Sequence, residues 1–272
     1  MARLLTAFAL LGLFMYVLLR GPLLGFYAVM GTGVGIATWE AYGLVERRGA
    51  RPFKVLGTVA AVLAMTSFLF THAGMPVWGP AFAVVLTAIV TLLAAMALRE
   101  DPASMLEAAG ATLFPFLFVG LTLGYMMGLR AIDERMGRDL ALLLLLCLAA
   151  SDSAALYVGR AMGRHPLAPQ LSPKKSWEGA IAGLGGAVLA AFVARWTFYT
   201  RLTPIHCVVL GLLLGALGIL GDLAESMLKR AAGAKDSSAI LPGHGGVLDR
   251  ADSLLFTAPV LYYYYFLFLG RP

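Results

Sequence analysis

Nine long apolar runs, separated by short polar or glycine- and proline-marked breaks, organise this 272-residue sequence. They lie at Leu4–Leu19, Pro22–Leu44, Phe53–Thr71, Pro76–Leu98, Glu107–Leu129, Leu140–Met162, Gly179–Tyr199, Ile205–Leu228 and Ser253–Leu269. A helix needs about 20 apolar residues to cross a hydrocarbon core about 30 Å thick, which is the scale of most of these runs. The pattern predicts an all-α, polytopic integral membrane protein with about nine transmembrane helices. Arg20, Gly21 and Pro22 separate the short first run from the second. That first run follows Arg3 as a secretory leader would, yet no small-x-small cleavage site follows, so it is read as a retained span.

Composition supports lipid as the solvent. Hydrophobic residues make up 60% of the chain and charged residues 13%, against about 25% charged in soluble domains. Cys147 and Cys207 both sit in apolar runs and read as small buried hydrophobes, not as a disulfide or a metal site. The formal net charge is +6. In this setting it marks a membrane side and does not point to nucleic acid.

With the N-terminus in the cytoplasm, the alternating spans leave Arg3, Arg47, Arg48, Arg51, Lys54, Arg99, Arg160, Arg164, Lys174, Lys175, Lys229, Arg230, Lys235 and Arg250 on the cytoplasmic side. Arg20, Arg130, Arg135, Arg138, Arg195, Arg201 and Arg271 fall on the other side. Basic residues favour the cytoplasmic face, so the bias predicts N-in, C-out, although the Arg130–Arg138 loop pulls against it. The polar loops Arg160–Glu178 and Lys229–Asp252 then face the cytoplasm, where nucleotides and magnesium are found.

Chemistry is suggested by carboxylates where lipid makes them costly. Asp152 lies inside the sixth run, Asp222 and Glu225 lie in the eighth, and Asp249 and Asp252 open the ninth. The last two pairs are each spaced by three, which puts both members on one face of a helix. The plain alternative is ordinary helix-end residues and caps, and for Glu40 and Glu178, near loops, that alternative stands level with a functional one. Deep aspartates need partners, and magnesium, which takes one or two carboxylates plus substrate phosphates, is a natural one. Lys174 and Lys175 precede one span, and Lys229, Arg230 and Lys235 follow another. Alone they fit the positive-inside rule; beside the acids they fit a polyphosphate–magnesium complex. The PGHGG run at Pro242–Gly246 can bring backbone amides close to an anion, or simply turn the chain.

The stretch SMLKRAAGAKDSSAILPGHGGVLDRAD, Ser226 to Asp252, resembles the signature of the CDP-diacylglycerol synthases (phosphatidate cytidylyltransferases). Ser226, Lys229, Arg230, Lys235, Asp236, Pro242, His244, Gly245, Gly246, Asp249, Arg250 and Asp252 fill its fixed positions. SDSAALYVGRAMGRHPLAPQLSPKKSWEG and GDLAESMLKR resemble two further family segments. Small departures at Ala154, Leu156, Ser176, Ser237 and Ser238 remove no carboxylate or lysine.

The resemblance implies transfer of cytidylyl from CTP to phosphatidate, giving CDP-diacylglycerol and pyrophosphate in phospholipid biosynthesis. It implies Mg2+, with room for a second cation, held by Asp222 and Asp249 with Asp152 and Asp252. It assigns Lys229 and Arg230 to catalysis beside Asp222 and Asp249. Lys174, Lys175, Ser226, Lys235, Asp236, His244, Gly245, Gly246 and Arg250 are assigned to substrate. It further implies a homodimer; the membrane is read as a prokaryotic inner or cell membrane, with the site facing the cytoplasm by the basic-residue bias. On this reading residues 1–135 form a five-span scaffold and 136–272 a four-span catalytic region. A secondary transporter also uses intramembrane acids and glycine-broken helices, but these acids and bases cluster toward one membrane face. A membrane adaptor leaves the paired acids unexplained.

Overall fold

The apolar runs fold as helices, and the places where they depart from the sequence boundaries have local causes. The structure, a computed structural model, describes residues 12–241, 243 and 245–270. The first expected span is therefore described only from residue 12, with residues 12–19 helical, and Arg3, His244 and Arg271 lie outside the described residues. The helices that follow are α1 (Leu23–Glu46), α2 (Lys54–His72), α3 (Pro80–Leu98), α4 (Pro102–Pro115), α5 (Thr122–Arg130), α6 (Glu134–Met162), α7 (Trp177–Thr197), α8 (Pro204–Ala231), the single-turn α9 (Leu248–Ala251) and α10 (Leu254–Tyr264). One antiparallel hairpin joins β1 (Pro166–Ala168) to β2 (Ser172–Ser176), pairing Pro166 with Ser176 and Ala168 with Ser172. The fold is nearly all-α, and the hairpin is its departure from the helical pattern.

Among the described residues, six helical stretches are long and apolar enough to cross a membrane: Lys54–His72, Pro80–Leu98, Pro102–Arg130, Glu134–Met162, Trp177–Thr197 and Pro204–Ala231. Helix α1 is long, but Glu40, Thr32, Thr38 and several glycines dilute its apolar character, and it is not one of the six. Residues Leu254–Leu269 form a shorter apolar stretch.

Asp133 caps α6, accepting from the Arg135 and Met136 amides at 2.9 and 3.0 Å. That cap satisfies amides left open at a helix start, and it starts the helix at Glu134, six residues before the apolar run. Asp101 caps α4 in the same way through the Ser104 amide at 3.0 Å. Pro115 ends regular α-helix within the fifth run, and a π-helical stretch, Phe116–Leu121, carries the chain on to α5. Proline lacks the amide that would continue the ladder, which accounts for the change of winding beside it.

The chain divides into two compact units, one of Met1–Ile132 with Leu228–Ala251, the other of Asp133–Met227 with Asp252–Pro272. In the first, Phe26, Tyr42, Phe68, Met65, Phe116 and Met126 are fully buried. The Tyr42 hydroxyl donates to the Thr112 carbonyl, and the Phe53 amide donates to the Thr112 hydroxyl at 2.8 Å, joining α1, α2 and α4. On α3, Val85, Leu86, Ile89, Leu93 and Met96 are exposed, as suits a helix solvated by acyl chains.

In the second unit, α6 packs on α7 through small residues. Cβ atoms built on Gly179, Gly183 and Gly186 would lie within 3.0 Å of Ala155 O, Ser151 Oγ and Ala150 O. Such close backbone approach is how helices gain packing energy where no hydrophobic effect drives them together. Helix α8 joins this pair with Gly211 against Val188 and Gly215 against Leu184.

Candidate active site

Helix α8 presents Asp222 and Glu225 on one face, as their spacing predicts. A Cβ on Gly221 would lie 2.5 Å from the Asp252 carbonyl oxygen, so the missing side chain admits the segment leading into α10. One oxygen from each of Asp222, Glu225 and Asp252 then lies within 4.8 Å of the other two. Glu225 is fully buried. The Ser226 hydroxyl lies 3.4 Å from Asp222 Oδ1, toward which it can donate. Burial and then the charge of Asp222 push the Asp252 carboxyl up to about 6, Asp152 adding in the same sense, against the Ser253 donors that favour the ion. The Ser253 amide donates to Asp252 Oδ1 at 2.6 Å. Asp152 is exposed on α6.

The hairpin supplies this acidic group with a cation. Successive residues of a strand point to opposite faces. Lys175 reaches Asp222 Oδ2 as an ion pair, whereas Lys174 is exposed. Glu178 ties the base of the hairpin to α7, accepting from the Arg164 and His165 amides at 3.2 and 3.3 Å and contacting His165 Nδ1 at 2.6 Å. These contacts hold the start of the hairpin to α7.

In the other unit, Asp249 on α9 is nearly saturated with donors. Lys229 Nζ donates to Oδ1 at 2.7 Å, and the Ser237 amide, the Ser237 hydroxyl and the Gly246 amide donate to Oδ2 at 2.9, 2.8 and 2.7 Å. Burial raises the Asp249 pKa, but Lys229 and these donors outweigh it and hold the carboxyl down at about 2. A carboxylate that accepts several such bonds stays ionised. Gly245 adopts φ +79°, and a Cβ there would lie 2.7 Å from Asp249 Oδ2. Its carbonyl accepts from the Leu241 amide at 2.9 Å, closing the glycine turn. Arg230, Lys235, Asp236 and Arg250 have exposed side chains.

Two acids carry more than their sequence positions suggested. Glu225 joins Asp222 and Asp252, which its i+3 spacing to Asp222 signalled without assigning it to the cation. Glu40, on α1, is buried and accepts from Ser238 Oγ and the Leu248 amide at 2.6 and 2.8 Å. Nothing in its neighbourhood along the chain pointed to partners so remote.

The donor set of Asp222, Glu225 and Asp252 consists of hard carboxylate oxygens converging within a few ångströms, which fits a hard divalent cation.

Comparison with known proteins bears on this chemistry. The model of the cytidylyltransferase family matches residues 1–268. A phosphatidate cytidylyltransferase of Synechocystis is 46% identical over 123 residues, covering 45% of this chain and 42% of that protein. One of Haemophilus influenzae is 41% identical over 174 residues, covering 62% and 60%. One of Bacillus subtilis is 34% identical over 189 residues, covering 69% and 67%. The matched stretches thus span from about two fifths to two thirds of these relatives' lengths.

Proposed function

Because the chain belongs to the cytidylyltransferase family, we propose that it transfers the cytidylyl group of CTP to phosphatidate in the membrane, releasing pyrophosphate. The observation that carries the reading is the acidic group Asp222, Glu225 and Asp252 with Lys175 paired to it, on a chain whose relatives are named phosphatidate cytidylyltransferases.

In this reaction a phosphate oxygen of phosphatidate attacks the α-phosphorus of CTP, the bond from that phosphorus to the β-phosphate bridging oxygen breaks, and pyrophosphate leaves with the electron pair. A phosphate monoester has its second pKa near 6, so at pH 7 the nucleophile is mostly dianionic and requires no general base. The obstacle is the meeting of two polyanions. Alignment and positive charge therefore supply the acceleration.

Asp222, Glu225 and Asp252 would hold a divalent cation, with Asp152 adding charge and Asp249 assigned to the metal by the family resemblance. Magnesium, when bound, neutralises phosphate charge and orients the transferring phosphorus. Lys174, Lys175, Lys229 and Arg230 bind phosphate groups, and Lys235, Asp236, His244, Gly245, Gly246 and Arg250 shape the nucleotide's surroundings. We place this chemistry in residues 136–272, and the site at the cytoplasmic face of a bacterial inner membrane, on the basic-residue bias and the bacterial origin of the three relatives compared above.

Purified full-length protein in detergent, given radiolabelled CTP, phosphatidate and Mg2+, is expected to yield lipid-soluble label only when all three are present. Absence of labelled lipid at any Mg2+ concentration, with substrate flux in liposomes, overturns this reading in favour of a transporter.

A further inference from the structure

A buried carboxylate on α1 meets the signature segment from the far end of the chain. Glu40 is only 3% exposed. Its Oε1 accepts from the Ser238 hydroxyl at 2.6 Å and from the Val247 amide at 3.1 Å. Its Oε2 accepts from the Leu248 amide at 2.8 Å and lies 3.2 Å from the Ser237 hydroxyl. Both oxygens of Glu40 thus face donors of the signature segment, an arrangement suited to holding that segment.

The arrangement reaches Asp249 by two routes. The Ser237 hydroxyl lies between the two carboxylates, 2.8 Å from Asp249 Oδ2 and 3.2 Å from Glu40 Oε2, so one proton serves both. The amides of the turn into α9 are divided between them, Gly246 donating to Asp249 and Val247 and Leu248 to Glu40. The space is filled as well: a Cβ on Gly246 would lie 2.1 Å from Ser237 Oγ and 2.5 and 2.6 Å from the Glu40 oxygens. A buried ion is tolerated only when its partners are complete, so the carboxylate and the segment fix each other.

We infer that Glu40 is a positioning residue for cytidylyl transfer: it pins Ser237, Ser238, Val247 and Leu248 and, through Ser237 and the shared turn, sets the orientation of the Asp249 carboxylate. The inference rests on the cytidylyltransferase reading for its kinetic consequence and on geometry alone for its structural one. In Glu40→Gln, one oxygen is replaced by an NH2 group facing a backbone amide, so at least one pair of donors loses its acceptor. Ser238→Ala removes a single donor and leaves the carboxylate in place.

The test compares both variants with wild type and with Glu46→Gln, an exposed acid on the same helix, in full-length protein in detergent. Hydrogen–deuterium exchange over residues 237–248 and steady-state kinetics with CTP and phosphatidate are read on protein that elutes as a folded peak and melts cooperatively. For Glu40→Gln, exchange of the Val247 and Leu248 amides is expected to rise at least tenfold and kcat to fall at least tenfold per folded molecule. Ser238→Ala should show smaller changes in the same direction, and Glu46→Gln none. A purely structural role would lower the melting temperature with kcat per folded molecule unchanged, and that result overturns the inference. So does unchanged exchange in Glu40→Gln. If Glu40→Gln does not fold, Ser238→Ala decides by the same two readouts. If wild-type protein makes no labelled lipid, the proposed function fails, while the exchange data still decide whether Glu40 holds the segment.

Discussion

Replacing Asp249 by asparagine tests the charge at the end of the signature segment with almost no change of shape. Asp249 accepts from four donors, and its side chain is 7% exposed beside a Lys229 that is 13% exposed. Asparagine keeps one oxygen. If that oxygen faces Ser237 and Gly246, the amide NH2 meets the Lys229 ammonium across 2.7 Å, a donor against a donor. Charge-assisted bonds contribute about 1.5–3 kcal/mol and neutral ones about 0.5–1.5 kcal/mol. Weakening three bonds and removing the ion pair to Lys229 should then cost the segment about 2–4 kcal/mol of local stability, within the range a folded protein survives. On the proposed function catalysis suffers more, because Asp249 is there assigned to the metal by the family resemblance and its fixed negative charge is lost. A loss of at least 100-fold in kcat/KM, about 2.7 kcal/mol of barrier, is expected. The assay is the transfer of radiolabel from CTP to lipid at saturating Mg2+, with cooperative thermal unfolding to verify the fold. Turnover within threefold of wild type in a folded Asp249→Asn protein would refute the reasoning.

Three further outcomes follow from the same geometry. Lys175→Met, which strips Asp222 of its ion-pair partner, should lower kcat/KM about 10- to 100-fold, and Lys174→Met, on the opposite strand face, should do less; equal effects in steady-state assays would contradict the hairpin's orientation. Chelation by EDTA should abolish transfer and added Mg2+ restore it, and Glu225→Gln should raise the Mg2+ concentration for half-maximal rate about tenfold or more; an unchanged titration curve would remove Glu225 from the cation site. Gly246→Ala, whose Cβ would lie 2.1 Å from Ser237 Oγ, should abolish transfer, whereas Gly185→Ala, with open space around its Cβ, should leave transfer intact and raise thermal stability by up to about 1 kcal/mol; loss of transfer in the second would show that the contrast does not come from the crowding.

Much of this molecule was legible from residues close together in the chain. Apolar runs of membrane-spanning length, the costly acids within them and the fixed positions from Ser226 to Asp252 are local features, and local features survive being read one window at a time. The pairing of Asp222 with Glu225 also followed from spacing alone, because helical geometry repeats every 3.6 residues. Boundaries were less legible. Asp133 starts α6 six residues ahead of its apolar run, since capping depends on a single side chain and leaves no trace in hydropathy.

Other features could be decided only by the tertiary structure. Lys174 and Lys175 are indistinguishable as sequence, and it is the β-hairpin that turns one toward Asp222 and leaves the other exposed. Asp252 joins the acids of α8 because Gly221 lets its backbone approach. Glu40 stood level between an ordinary helix-end residue and a functional one, and only the fold surrounded it with donors some 200 residues away in the chain. The sequence by itself determined which groups the chain owns and that lipid is its solvent, because composition and periodicity carry those facts. Which groups satisfy one another was left to the tertiary structure, because a buried charge is stabilised by neighbours in space, whatever their distance along the chain.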